Sequence, residues 1–322
     1  MQRKIWIDNL RGFCMLAILL DHTEIYYAGK NIIDYNLYVA NALVIFFILS
    51  GYLMYKPTKF KIKHKLDSIF RTLLIPYFIF TTIIYIPKNI IHCYDIDFLD
   101  MAKSILMGQA SWFVAALCIA ELIFSIGIWI SKGNNILLAI IGALGFGISI
   151  YLSTRNQTYF WQLDNALQAL LFLYVGYIYH QYANIFNTIN KPSYTLLLSL
   201  LLIGIKIYEH YNQIDMVIWH IHITNYPIFL LDTMVCSLIM IQLFQTLPPI
   251  RWLSWTGRHT IVYYFLCGGI PLITGKLFHN IGLSYEGNYL YILLAFLCVY
   301  ITTTLVTYFI YKYIPFIIGK YE

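Results

Sequence analysis

Apolar residues fall in runs of membrane-crossing length, broken by short polar stretches. A transmembrane helix needs about 20 predominantly apolar residues. Ten segments meet that need, at about 8–28, 38–55, 72–91, 112–131, 136–153, 166–182, 194–209, 217–245, 260–279 and 289–312. The seventh is short and carries Lys206, and the eighth is long enough to include a re-entrant or interfacial piece. Between the third and fourth, FLDMAKSILMG sets Phe98, Met101, Ile105 and Leu106 at helical spacing, which predicts a short interfacial helix. The basic stretch KPTKFKIKHK, Lys56 to Lys65, reads as the longest loop on one side of the membrane. The stretch 92–111, with Asp95, Asp97 and Asp100, reads as the longest on the other. The predicted fold class is an all-α integral membrane protein of about ten helices. It forms a single membrane-embedded domain over 1–322, with no separate soluble domain.

Composition strengthens this picture. Hydrophobic residues make up 60% of the chain and charged residues 11%, against about 25% charged in a soluble domain. Mean hydropathy is +0.68. So apolar a chain cannot clothe a water-facing shell, and it is too hydrophobic to remain disordered. The net charge of +6 reads as a topology signal rather than as a nucleic-acid footprint. With ten spans and the N-terminus inside, one side receives 14 of the Lys and Arg residues, including Arg3, Lys4, Lys312 and Lys320. The other side receives 6, Arg11 being set aside as a span residue. That asymmetry predicts that both termini are cytoplasmic. The 29 tyrosines and 7 tryptophans suit interfacial belts in a lipid bilayer. The cysteines show no disulfide framework. Cys14, Cys118, Cys236, Cys267 and Cys298 lie in apolar runs, and Cys93 lies in a loop. Arg3 and Lys4 precede the first apolar run, but Asp8 and Arg11 interrupt it, so it reads as an uncleaved first helix.

Charge inside a membrane is costly and marks function by default. The first span concentrates it in Asp8, Arg11, Asp21, His22 and Glu24. Arg11 and His22 are eleven residues apart, so they share a helix face, separated by about 16 Å along the axis. That axis suits an elongated polar ligand whose reactive end reaches His22, a side chain able to act as a base near neutral pH. Asp21 and Glu24 are candidates to orient or charge the ring. On a straight helix neither points where His22 points, so a partner from another helix is an equal expectation. The alternative is that Arg11 snorkels to the interface and Asp21, His22 and Glu24 mark the end of the span. The basic loop with Lys63 and Lys65, together with Arg71, reads either as topology and lipid contact or as a landing site for a phosphorylated donor. Glu121 and Asp232 are mid-span carboxylates expected to face the bundle interior. His220 and His222 fall on different faces of a helix, which disfavours a metal site, and no metal is expected.

Five motifs in order resemble the membrane acyltransferase 3 family, within it the fucose 4-O-acetylase-like and surface-polysaccharide O-acetyltransferase branch. IDNLRGFCMLAILLDH looks like the family's Arg-x10-His signature, through Arg11 and His22. FFILSGYL, Phe46 to Leu53, is similar to its FF-x-x-SG element. SIFRTLLIPYF, Ser68 to Phe78, resembles its basic lead-in to a Pro-Tyr pair. SWFVAAL, Ser111 to Leu117, resembles its Trp-[YF]-[LV] element. WTGRHTIVYYFLC matches its Gly-[KR]-x-[ST]-x-x-x-Tyr pattern through Gly257, Arg258, Thr260 and Tyr264. The chain departs from the pattern at Cys267, where many members have histidine, and at Thr72, where relatives often have a second basic residue.

The resemblance implies acyl transfer, on family grounds acetyl transfer, from cytosolic acyl-CoA to a hydroxyl of a carbohydrate or lipid-linked sugar. His22 would be catalytic with Arg11 its essential partner, and Asp21 and Glu24 are the accompanying candidates. Lys65 and Arg71 would serve the donor, with Lys63 and Arg258 beside them. Trp112, Tyr52 and Glu121 are the acceptor-side candidates. Acetyl-CoA would be a donor substrate, not a bound cofactor, and the implied location is a bacterial plasma membrane. Two other classes explain the intramembrane charge: a transporter or flippase for a sugar-linked or anionic substrate, and a non-catalytic partner in an envelope complex.

Overall fold

The computed structural model describes residues 4–92, 95–155, 157–189 and 191–319. Arg3, Cys93 and Lys320, which entered the sequence reading, lie outside the described residues. In chain order, α1 (Ile5–Ala28) and α2 (Tyr35–Met54) precede α3 (Ile62–Ile69), a π-helical turn at Phe70–Leu74 and α4 (Ile75–His92). Next come α5 (Phe98–Leu106), α6 (Trp112–Ser131), α7 (Asn135–Ser153), α8 (Leu163–Gln181), α9 (Ala183–Ile189) and α10 (Pro192–Tyr211). A small antiparallel hairpin of β1 (Met216–Val217) and β2 (His222–Ile223) leads to α11 (Tyr226–Thr246). The chain closes with α12 (Arg251–Arg258), α13 (Thr260–Leu266), α14 (Gly269–Asn280) and α15 (Tyr289–Tyr313). Asn134, Asn225 and Asn288 cap α7, α11 and α15 through side-chain oxygens that accept first-turn N–H groups.

Among the described residues, seven helices are long and apolar enough to cross a bilayer. The pair α13 and α14, bent by 47°, makes an eighth if it forms one span. Each of the ten expected runs contains helix, but α1 and α8 fall outside that set for a physical reason. α1 carries Asp8, Arg11, Asp21 and Glu24, and α8 carries Asp164, Asn165 and Gln168. Of these only Arg11 is not fully buried, so the polar side chains are turned towards protein. The predicted interfacial helix is present as α5, capped by Asp97, whose Oδ1 accepts from the Leu99 and Asp100 N–H groups at 2.8 and 3.2 Å. Two expectations need correction. The basic stretch is not all loop, because Ile62, Leu66 and Ile69 carry a helix through Lys63 and Lys65. The eighth run is not helical from 217, because the hairpin occupies its first residues and α11 begins at Tyr226.

The chain folds into two compact units interleaved in sequence. The first comprises 1–42, 75–105 and 248–322. In it α1 packs on α12, α13, α14 and α15. Two glycines set the closest approach: a Cβ on Gly12 would stand 2.2 Å from the Leu253 carbonyl oxygen, and one on Gly257 would stand 1.7 Å from that of Asp8. Small residues allow such backbone contact between membrane helices. The second unit comprises 43–74 and 106–247. There α8 packs on α6 and α7, and α10 on α11. Gly51 and Gly176 make the equivalent crossing of α2 and α8, against the Leu173 and Ile48 carbonyls. Lys206, the residue that weakened the seventh run, bonds Asp232 Oδ2 at 2.9 Å and Glu209 Oε2 at 3.0 Å. Its charge is thereby held between α10 and α11 instead of facing lipid.

Candidate active site

In the first unit, α1 runs unbroken from Ile5 to Ala28, so the Arg11–His22 register is realised on one continuous helix. Arg11 Nη2 donates to Thr260 Oγ1 at 3.0 Å, which ties the charged end of α1 to the start of α13. Arg258, one turn away at the end of α12, lies 3.8 Å from Asp8 Oδ2 and donates to Ser254 Oγ at 3.2 Å. The close glycine crossing of α1 and α12 brings these groups together. Arg258 is thus set near Arg11's helix, with Asp8 compensating its charge.

His22 lies with Nδ1 2.9 Å from the Ile18 carbonyl oxygen and 3.4 Å from Asp21 Oδ2. A carbonyl oxygen only accepts, so Nδ1 carries the proton and Nε2 keeps its lone pair in the neutral ring. The imidazole is one-third exposed, whereas Asp21 is buried. Asp21 does approach the ring, and a second polar neighbour comes from elsewhere: the Cys267 thiol, just beyond α13, interacts with it. That thiol also donates to the Tyr264 carbonyl at 2.9 Å.

Asp21 and Glu24 differ in what they hold. Asp21 accepts from the Asn31 amide with its other oxygen. Glu24, fully buried, accepts the Ile32 and Ile33 N–H groups on Oε2 at 2.7 and 3.0 Å and the Tyr289 hydroxyl on Oε1 at 2.6 Å. Both Glu24 oxygens are engaged in fixing the loop after α1. Its geometry is that of a positioning residue, whereas Asp21 reaches the imidazole itself.

The remaining candidates belong to the second unit. Lys65 Nζ bonds Glu121 Oε2 at 2.7 Å, and Ser50 Oγ donates to Glu121 Oε1. A donor-side and an acceptor-side candidate thus form one ion pair. Arg71 pairs with Asp67 at 3.0 Å on an exposed helical turn, and Lys63 is exposed. Tyr52 is buried, its ring stacked on His180 at 4.0 Å, and its carbonyl accepts from His180 Nδ1 at 2.6 Å. Trp112 begins α6 and stacks with Trp219 of the hairpin, ring centroids 6.1 Å apart. Nine residues along a helix, about 13 Å, separate Trp112 from Glu121, so the acceptor-side candidates do not converge on one point. Among the described residues, no group of three or more His, Cys, Asp or Glu side chains is placed to hold a metal ion.

The sequence reading passed over Thr260, Asn31 and Ser50 as site residues and took Cys267 only as a departure from a pattern. Thr260 carried a signal as the hydroxyl position of the Gly257-Arg258-His259-Thr260 segment, and Ser50 as the serine of FFILSGYL. A protein-family model described as an acyltransferase domain matches residues 4–312. It does not favour the transporter alternative. No curated protein and no solved structure matches the chain.

Proposed function

The chain belongs to this acyltransferase family, and from that premise we propose that it is a membrane O-acyltransferase. It moves an acyl group, acetyl in the simplest case, from cytosolic acyl-CoA to a hydroxyl of a carbohydrate or lipid-linked sugar. The observation that carries the reading is the His22 ring, whose Nδ1 proton is committed to Ile18 on the helix that also bears Arg11. Nε2 is then the basic atom. It takes the proton of the acceptor hydroxyl as that oxygen attacks the thioester carbonyl, and returns it to the departing thiolate as the C–S bond breaks. Asp21, 3.4 Å from Nδ1, stabilises the transient imidazolium. A short-lived acyl-histidine would use the same nitrogen. Packing around α1 limits water and so limits hydrolysis of the thioester.

Coenzyme A carries phosphate charges, and arginine and lysine are their natural partners. Lys63, Lys65 and Arg71 are the proposed donor contacts on the second unit, with Glu121 orienting Lys65; Arg258 is proposed separately, as a phosphate partner on the first unit. Ten crossings with both termini cytoplasmic would put the basic segments on the donor's side of a plasma membrane.

The test is thermal unfolding of the detergent-purified protein with and without acetyl-CoA. A ligand at about 100 times its Kd stabilises by about 2.7 kcal/mol, and the gain should shrink in Arg71→Ala and Arg258→Ala. No shift at millimolar acetyl-CoA with folded protein would contradict the donor assignment.

A further inference from the structure

Cys267 is a nucleophilic side chain beside His22 that direct transfer to a hydroxyl does not use. It is a free thiol, 5% exposed. It follows α13 directly, and Gly268 then leads into α14, so the sulfur stands at the break where the two helices bend by 47°. The Gly268–Gly269 pair permits such a bend. Both helices pack on α1 within the first unit.

The surroundings of the sulfur are well defined. The thiol donates to the Tyr264 carbonyl at 2.9 Å and lies within hydrogen-bonding reach of the His22 imidazole. A Cβ on Gly268 would stand 3.7 Å from the Tyr26 hydroxyl, and Tyr26 is one turn beyond His22 on α1, the two rings 6.4 Å apart. The residue after Cys267 is thus placed against the same stretch of α1, independently of the sulfur. His22 Nδ1 faces the Ile18 carbonyl and Asp21. The nitrogen left for a thiol proton is Nε2, which holds the lone pair. Asp21, His22 and Cys267 therefore form a carboxylate–imidazole–thiol series with the imidazole in the middle. Such a series activates a thiol, because the base takes its proton and the carboxylate steadies the imidazolium. The N-terminus of α14 begins two residues past the sulfur, and the positive end of a helix dipole favours a thiolate. Room for a small acyl group adjoins it, since a Cβ on Gly269 would meet nothing within 4 Å.

We propose that Cys267 is the acyl carrier of the transfer, a nucleophile activated by His22 and Asp21 that takes the acyl group from acyl-CoA before the acceptor receives it. In the first half, His22 Nε2 removes the Cys267 proton and the sulfur attacks the thioester carbonyl. The C–S bond to coenzyme A breaks, and its thiolate leaves with the proton from Nε2. One thioester replaces another, so the step needs no oxidant, reductant or energy input. In the second half, Nε2 removes the proton of the acceptor hydroxyl, whose oxygen attacks the Cys267 thioester. That C–S bond breaks, and the proton returns to the Cys267 sulfur. The thiol suits this role better than the imidazole, because sulfur is the stronger nucleophile once deprotonated and His22 stays available as the base in both halves. As a small packing residue, Cys267 would be replaceable by alanine with a change in stability alone. The inference rests on the acyltransferase reading and names its covalent intermediate.

Isotope exchange tests this without knowledge of the acceptor. Detergent-purified full-length protein is given acetyl-CoA and labelled free coenzyme A, and label entering acetyl-CoA is measured. A Cys267 thioester predicts exchange by wild type, reduced about a hundredfold or more in Cys267→Ala and His22→Ala. Exchange should be unchanged in Cys298→Ala, which removes an exposed cysteine of α15. Acid quenching and peptide mass mapping should find the acetyl group on Cys267. Cys267→Ser serves if the alanine variant misfolds. It should also lose exchange, because an oxygen ester does not readily return its acetyl group to a thiol. Undiminished exchange in either folded Cys267 variant, or an acetyl group on His22 instead, overturns the carrier. Stabilisation by acetyl-CoA is measured on the same preparations, and acetyl transfer to carbohydrate in membranes holding the same proteins. Transfer by wild type without exchange removes the carrier and leaves the transferase. Absence of stabilisation, exchange and transfer together removes the acyltransferase reading and the carrier with it.

Discussion

At His22, one hydrogen bond decides which nitrogen can act. The Ile18 carbonyl takes the Nδ1 proton at 2.9 Å, which leaves the lone pair on Nε2, the atom proposed as the base. Arg11 depends in the same way on Thr260, whose hydroxyl accepts from Nη2 at 3.0 Å and is itself buried. Thr260→Val keeps the side chain's shape and removes that acceptor. We expect it to cost about 1–3 kcal/mol in thermal unfolding and to slow acyl transfer, while Thr260→Ser retains both. Equal stability and turnover of the valine and serine variants would show that the contact orients nothing. The pair Arg11 and His22 was legible in the sequence because helical spacing alone puts both on one face. Thr260, 249 positions away along the chain, was not, since only the folded crossing of α1 with α12 and α13 brings it near.

Glycine crossings govern the elements. Gly12 and Gly257 let α1 and α12 touch backbone to backbone, and this contact brings Arg258 near Asp8. Gly12→Ala or Gly257→Ala forces the helices apart and should destabilise by about 1–3 kcal/mol or more. Gly147→Ala in α7, where an added methyl meets nothing within 4 Å, should be neutral or slightly stabilising. Thermal unfolding of the three variants checks this, and a similar loss at Gly147 would refute the crossing argument. Apolar run length revealed most elements, and it located α5 from four spaced residues. It failed where charge or short apolar runs masked the pattern. α3 was hidden because its Ile62, Leu66 and Ile69 stripe is interleaved with lysines. The hairpin was absorbed into a span because Ile218, Trp219, Ile221 and Ile223 are as apolar as the helix that follows. α1 and α8 escape a hydropathy test because their polar faces turn towards protein, a fact that only packing reveals.

For the whole molecule, the number of bilayer crossings decides where the termini lie. Seven or eight helices qualify on length and composition, and α1 and α8 would complete ten. On the proposed ten crossings both termini lie on one side, and the lysine and arginine distribution would make that side the cytoplasm. Reporter fusions at residue 1 and after residue 322 should both read cytoplasmic, and opposite signals would require an odd count. The functional claim is tested most directly by label transfer. Membranes containing wild type or His22→Ala at equal protein level are given acetyl-CoA labelled in its acetyl group, and label in the carbohydrate fraction is measured. The account predicts transfer by wild type and a loss of about a hundredfold or more in His22→Ala; undiminished transfer by His22→Ala would contradict it.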